Sequence, residues 1–254
     1  MKPSRAARGP PSSPVPRTLF VSDLHLAEDR PATTDRFARF LGETVPGADA
    51  LYILGDLFEY WVGDDGLAFD FPARIASLLR PAARSVPTFF MHGNRDFMVA
   101  AEFARHTGVG LLQDPTVIDL YGERAMLMHG DTLCTGDRAY LAFRAQVRQP
   151  AWQVAALAKP LAERVAIARA MRVQSEGAKG AKAEDIMDVA PEAVEAAFAS
   201  TGCRVLVHGH THRPARHELV VAGEARVRWV LLDWYGPGGY LEAVPGAIRA
   251  FALG

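Results

Sequence analysis

Five short apolar runs recur between residues 18 and 207: Thr18-Leu19-Phe20-Val21, Leu51-Tyr52-Ile53-Leu54, Thr88-Phe89-Phe90-Met91, Ala125-Met126-Leu127-Met128 and Arg204-Val205-Leu206-Val207. Apolar runs of about this length, most of them followed within two residues by glycine, read as buried strands. From about 138 to 182 the period changes. Tyr140, Leu141, Phe143 and Val147, then Val154, Leu157, Leu161 and Val165, fall at helical spacing with alanine between them. Pro150 and Pro160 punctuate this stretch as helix starts or kinks. The pattern predicts one α/β domain over 18–254 with a helical cap inserted at about 137–190. Residues 1–17 carry five prolines, three serines and four basic residues and no apolar segment. They read as a disordered tail rather than a signal peptide or a membrane span.

Every predicted strand is followed at once by polar residues able to bind a metal: Ser22-Asp23-Leu24-His25, Gly55-Asp56, Gly93-Asn94-Arg95-Asp96, His129-Gly130-Asp131 and His208-Gly209-His210-Thr211-His212. Open α/β sheets place their chemistry at strand ends. Side chains at i and i+2 of an extended segment point the same way. Asp23 and His25 can therefore share one point, and so can His208 and His210. Oxygen and imidazole donors without thiolate suit Mn²⁺, Fe²⁺, Zn²⁺ or Mg²⁺. Seven candidate ligands are too many for one ion unless one or more stand behind the coordinating shell, but they suit two ions if one carboxylate bridges, and Asp56, between the flanking sets, is the natural bridge. The expected sets are Asp23, His25, Asp56 and His210 for one ion, and Asp56, Asn94, His129 and His208 for the other. Two such ions, about 3.5–4 Å apart, serve phosphoryl displacement. His212 is expected at the surface or behind the ligands, and Asp64 and Asp65 on a solvated loop. Asp96 and Asp131 either orient ligands or hold turns. Cys134 reads as a small buried hydrophobe, unpaired with Cys203.

Composition narrows the setting. The net charge of −1 excludes polyanion binding by bulk charge, and two cysteines fit a reducing compartment rather than a disulfide scaffold. Within 138–182, however, nine basic residues stand against two acidic ones. A solvated helical face is one reading of this bias. The other is a cap that meets an anion, an anionic membrane surface, or both. Trp152 fits either a lipid-contacting or a packing role. No aromatic platform or nucleic-acid motif accompanies the charge.

The five motifs, in this order, resemble those of the calcineurin-like metallophosphoesterase superfamily: D-x-H, G-D, G-N-[HR]-[DE], H and G-H-x-H. Further segments resemble one branch, the UDP-2,3-diacylglucosamine hydrolases of lipid A synthesis. They are Ile53-Leu54-Gly55-Asp56-Leu57-Phe58-Glu59 with Trp61-Val62-Gly63-Asp64-Asp65, then Met171-Arg172 with Ser175, Ile186-Met187-Asp188-Val189, and the stretch through Arg213-Pro214. The likeness runs from 18 to about 214, and Trp234 to Tyr240 departs from the family norm. The resemblance implies a two-sheet α/β/β/α sandwich, two Mn²⁺ ions per chain, and hydrolysis of UDP-2,3-diacylglucosamine to UMP and 2,3-diacylglucosamine 1-phosphate. It implies a peripheral enzyme on the cytoplasmic face of the inner membrane, with a lipid-linked nucleotide sugar as substrate and neither nucleic acid nor protein as partner. Asn94, Arg95 and His208 are the implied catalytic residues. Asn94, Arg95, Asp137, Ser175, Lys179, Lys182 and His208 are the implied substrate contacts, with Lys179 standing where the family has Asn. Two other functions remain open. One is a phosphoesterase acting on a soluble nucleotide diphosphate or cyclic nucleotide. The other is a scaffold that kept the fold and lost catalysis, which retention of all seven ligands argues against.

Overall fold

The computed structural model describes residues 15–179 and 188–254. Strands β1 (Thr18–Val21), β2 (Ala50–Leu54), β3 (Thr88–Met91) and β4 (Gly110–Leu112) run parallel side by side. Antiparallel β10 (Gly239–Val244) and β11 (Ala247–Ala252) extend this sheet beyond β1. A second sheet holds β5 (Thr116–Leu120), β6 (Glu123–Leu127), β7 (Val205–His208), β9 (Glu224–Val230) and β8 (Ala215–Val221), in that order. All five runs seen in the sequence are strands of one sheet or the other.

Period-two alternation sorts their side chains between three cores. Phe20, Leu54 and Met91 meet Ala125, Leu127 and Val207 between the sheets. On the opposite face of the first sheet, Leu19, Val21, Leu51, Ile53 and Phe90 pack with helix residues Phe37, Ile75, Leu79 and Phe103. These belong to α1 (Pro31–Arg39), α2 (Asp70–Ser85) and α3 (Ala101–Thr107). In α2 the buried Ile75, Ala76, Leu79 and Ala82 form one stripe; a fully buried Leu or Ile contributes about 1.5–3 kcal/mol. The outer face of the second sheet, Met126, Met128 and Leu206, takes Val194 and Phe198 of α7 (Pro191–Thr201). The result is the expected α/β/β/α sandwich.

Among the described residues the insertion holds three helices: α4 (Arg138–Val147), α5 (Pro150–Leu157) and α6 (Leu161–Lys179). Pro150 is the first residue of α5, and Pro160 immediately precedes α6. Arg17, at the end of the expected tail, is tied down: its guanidinium donates to Thr44 O (2.7 Å) and Pro46 O (2.8 Å) and pairs with Glu242.

The basic excess of the cap is largely used inward. Arg144 pairs with Asp131 at 2.7 Å, and Arg148 donates to Gly93 O at 2.8 Å. Arg164 is buried and binds Asp65, Val62 O and Lys159 O, while Arg172 pairs with Glu59. With Arg169 Nε donating to the Tyr60 hydroxyl at 3.3 Å, five of the seven cap cations with described side chains bind the domain beneath, so neither a solvated face nor a membrane surface alone explains the bias. Asp64 and Asp65 are corrected likewise. Asp64 accepts from Trp61 Nε1 and from Ala100 N and Phe103 N at the start of α3, and Asp65 receives Arg164. The loop is held by its carboxylates rather than merely solvated.

Candidate metal centre and active site

The turns after β1, β2, β3, β6 and β7 converge at one edge of the facing sheets. They interlock through backbone hydrogen bonds: Asp23 N to Gly55 O (3.1 Å), His25 N to Asp56 O (2.9 Å) and Gly209 N to His129 O (2.9 Å). The approach is too close for side chains, since a Cβ on Gly93 would collide with Asp56 and one on Gly209 with Asp23 and Ser22. Among the described residues seven non-glycine residues have left-handed backbone, and five of them are Asp23, His25, Asp56, His210 and His212. Such conformations cost free energy and concentrate where side chains must be aimed.

Asp23, Asp56 and His129 are buried and mutually close, and Asp23, His25 and His212 form a second group. His25 Nε2 lies 3.8 Å from Asp56 Oδ2, and His129 Nε2 lies 3.8 Å from Asp56 Oδ1. Asp56 thus turns one oxygen to each side. His212 Nε2 stands 3.3 Å from Asp23 Oδ1 and 3.2 Å from His25 Nε2. Asn94 Oδ1 lies 3.1 Å from His129 Nε2 and 3.0 Å from His210 Nδ1. With its nitrogen turned inward, the Asn94 amide would instead donate to these rings and to Asp56. In either orientation the polar end of the Asn94 amide sits among His129, His210 and Asp56.

This geometry corrects the pairing of histidines. His208 is wholly buried but turned away: Nε2 accepts from Arg228 Nη1 at 3.0 Å and Nδ1 donates to Gly209 O at 2.8 Å. The strand ends at His208, so period-two geometry no longer applies to the residues after it. The chain turns left-handed at His210 (φ 68°) and His212 (φ 54°), as it does at Asp23 (φ 54°) and His25 (φ 47°). The pair brought to the cluster is therefore His210 and His212. His212 was the residue missed, and the G-H-x-H spacing was the signal that could have found it.

Electrostatics agree with a cation site. Burial opposes charge on His129, but Asp56, Asp131 and Asp23 outweigh it and push the imidazole up to about 9. The same field favours any cation here. Burial also opposes ionisation of Asp23, yet His212, His129 and His25 hold it far below the usual carboxylate range. Burial, then His129, brings His210 down to about 3, and burial, then Arg228, brings His208 to about 4. Both rings are neutral at pH 7, and His210 keeps a lone pair for a metal.

The neighbouring carboxylates act as supports. Asp96 accepts from Leu57 N (2.7 Å), Gly93 N (2.8 Å), Asp56 N and Phe58 N, pinning two ligand turns together. Burial, with Asp56 nearby, lifts it to about 7. Asp131 holds Arg144 and the Tyr140 hydroxyl, and the Tyr140 ring stacks on His210 at 6.0 Å. Cys134 and Cys203 are buried, and neither is in a disulfide among the described residues.

Arg95 N donates to Asp56 Oδ1 at 2.8 Å, and its guanidinium Nε lies 4.0 Å from Asp56 Oδ2. Arg95 and Asn94 form one wall of a cavity of about 510 Å³ roofed by the cap, with Phe97, Tyr140, Phe143, Trp152 and Met171 among its other walls. Trp152 therefore faces this cavity. Asp137 caps α4, accepting from Tyr140 N at 3.1 Å. Ser175 and Lys179 lie on or at the end of α6, their side chains outside the described structure, and Lys182 falls outside the described residues. The atypical C-terminal segment supplies Tyr235, which stacks on His25 at 5.0 Å and lies beneath Arg30.

Residues 16–214 match the calcineurin-like phosphoesterase family. The chain belongs to that family. Among curated relatives of this phosphoesterase, the UDP-2,3-diacylglucosamine hydrolase of Xanthomonas campestris pv. campestris (strain ATCC 33913) is 52% identical over 232 residues, covering 89% of this chain and 94% of its own. The protein of the same name from Stenotrophomonas maltophilia (strain K279a) is 50% identical, covering 90% and 95%. That from Xanthomonas oryzae pv. oryzae (strain PXO99A) is 49% identical, covering 93% and 99%. The phosphoesterase shares with these relatives a likeness that includes the cap, which lies within the aligned span.

Proposed function

We propose that the chain hydrolyses the pyrophosphate bond of UDP-2,3-diacylglucosamine, releasing UMP and 2,3-diacylglucosamine 1-phosphate. The observation that carries this reading is the largely apolar cavity opening onto Asn94 and Arg95 beside the carboxylate–histidine cluster. A soluble nucleotide has no use for such a chamber, whereas acyl chains fill it and exclude water. The name borne by relatives at about half identity supports the same substrate.

The donor set fits two divalent ions, with Mn²⁺ the metal proposed. Asp23, His25, Asp56 and His212 would hold one, and Asp56, Asn94, His129 and His210 the other. Ions held there would supply the acidification of a water and the neutralisation of phosphoryl charge. The chain's own groups do the rest. Arg95 faces the cluster from the cavity wall, where its guanidinium clamps the diphosphate and favours the charge that grows on the equatorial oxygens. Tyr140 and Asp131 brace His210 and the floor of the cap. Asp137, Ser175, Lys179 and Lys182 are proposed contacts to the sugar-phosphate half.

No described helix is long and apolar enough to cross a membrane. Val154, Leu157, Ile167, Met171 and Val173 are nevertheless exposed on the cap. They support peripheral contact with the cytoplasmic face of the inner membrane, from which the lipid would be drawn.

Purified protein with Mn²⁺ and UDP-2,3-diacylglucosamine in ¹⁸O-water should yield UMP and the diacylglucosamine 1-phosphate by mass spectrometry, with label in UMP if attack falls on the phosphorus nearer uridine. Turnover of deacylated UDP-glucosamine alone would overturn the lipid reading.

A further inference from the structure

Glu59 stands between the metal cluster and the cap. It is 8% exposed, and its backbone N donates to Leu26 O at 3.0 Å, so the segment after Asp56 runs beside the one carrying His25. Its Oε2 faces His25 Nδ1 at 3.6 Å and Arg30 Nη1 at 3.4 Å, while Oε1 pairs with Arg172 of α6. The other His25 nitrogen, Nε2, points into the cluster toward His212 (3.2 Å), Asp56 (3.8 Å) and Asp23 (3.9 Å). An imidazole that binds a metal through one nitrogen keeps its proton on the other. A carboxylate facing that proton sets the ring's tautomer, orientation and basicity. Tyr235, stacked on the same ring, limits its rotation.

We infer that Glu59 is a positioning residue that holds His25 for one of the two ions, and that Arg172 couples this hold to the seat of the cap. The carboxylate that faces the ligand is the one the cap helix grips. Cap position and affinity for that ion therefore influence each other reciprocally. The inference rests on the two-ion reading of the site and not on the lipid substrate.

Calorimetric titration of the full-length, metal-stripped protein with Mn²⁺ tests it. The wild type is expected to bind two ions. Glu59→Gln, which keeps the volume, should weaken one ion by about ten- to a hundred-fold and leave the other unchanged. Arg172→Gln should shift the same ion in the same direction by less. Native affinity for both ions in Glu59→Gln, or equal weakening of both, would overturn the positioning role. Unchanged ions in Arg172→Gln would overturn the coupling. A wild type that binds no pair of ions would sink the metal reading itself, an outcome distinct from these.

Discussion

His212 Nε2 lies 3.3 Å from Asp23 Oδ1, a contact that joins the last ligand turn of the chain to the first across 189 residues of sequence. It sets the histidine pair as His210 and His212 and leaves His208 to Arg228. His212→Ala should therefore remove one bound ion and nearly all activity while leaving the fold intact. His208→Ala should keep both ions but lower stability by about 1–3 kcal/mol, because Arg228 loses its acceptor in a buried place. Metal analysis and denaturant melts on both variants check this. Loss of an ion from His208→Ala with His212→Ala unaffected would restore the pairing read from the sequence.

On the proposed reading, Arg95, in the cavity wall beside Asp56, acts on the substrate rather than on the metals. Arg95→Ala should reduce kcat by about a hundred- to a thousand-fold, the usual cost of removing a donor aimed at transition-state charge, while the protein still binds two ions. Arg95→Lys should recover little, since a point charge does not replace a bidentate fork. Steady-state kinetics alongside metal analysis separate these effects.

The cap is fastened by Arg164, whose guanidinium meets Asp65 at 2.9 Å and the Val62 carbonyl. Arg164→Ala should loosen the roof over the cavity. The expected signature is a rise in KM for long-chain substrate larger than the fall in kcat, together with faster hydrogen exchange in α5 and α6 and unchanged exchange in β1 to β3. Uniform exchange across the whole chain would show that Arg164 is a global stabiliser instead.

Tyr121 joins the two sheets, its hydroxyl donating to Asp49 at 2.7 Å and lying 2.9 Å from Thr18 Oγ1. Burial, with Asp49 beside it, pushes this phenol from 10.0 up to about 12. For a group whose folded value is raised, the stabilisation is complete below the unfolded value and is lost as pH rises through the folded one. Stability should therefore fall across pH 10–12, and Tyr121→Phe should flatten that part of the profile. An unchanged slope in the variant would assign the fall to other groups.

Much of this protein was legible in its residues. Apolar runs such as Leu51-Tyr52-Ile53-Leu54 read as buried strands from their length, residue types and flanking glycine, whereas the division of Leu19 and Val21 from Phe20 between two cores came with the fold. Donors placed directly after those strands implied a shared metal site, because parallel strands deliver their ends to one edge. Helical spacing from Tyr140 onward marked the cap. These are local properties, written in spacing and side-chain chemistry, and neighbouring elements do not alter them.

Other features depended on which segments meet in space. Whether His208 or His212 enters the cluster turns on where β7 stops and on backbone that goes left-handed after it at His210 and His212, next to the close approach of Gly209 to Ser22 and Asp23. The fate of the cap's charge is likewise tertiary: Arg144, Arg148, Arg164 and Arg172 look from sequence like a basic surface, and each finds a partner on the domain beneath only once the insertion folds over it. Glu59 carries no ligand spacing, and its place behind His25 exists because the segment after Asp56 lies beside Leu26. Sequence by itself determined the strands, the donor types and the helical insertion, since these follow from periodicity and residue chemistry. Only the tertiary structure decided which donors face one another and which charges are spent holding the cap, because those contacts join residues tens to hundreds of positions apart.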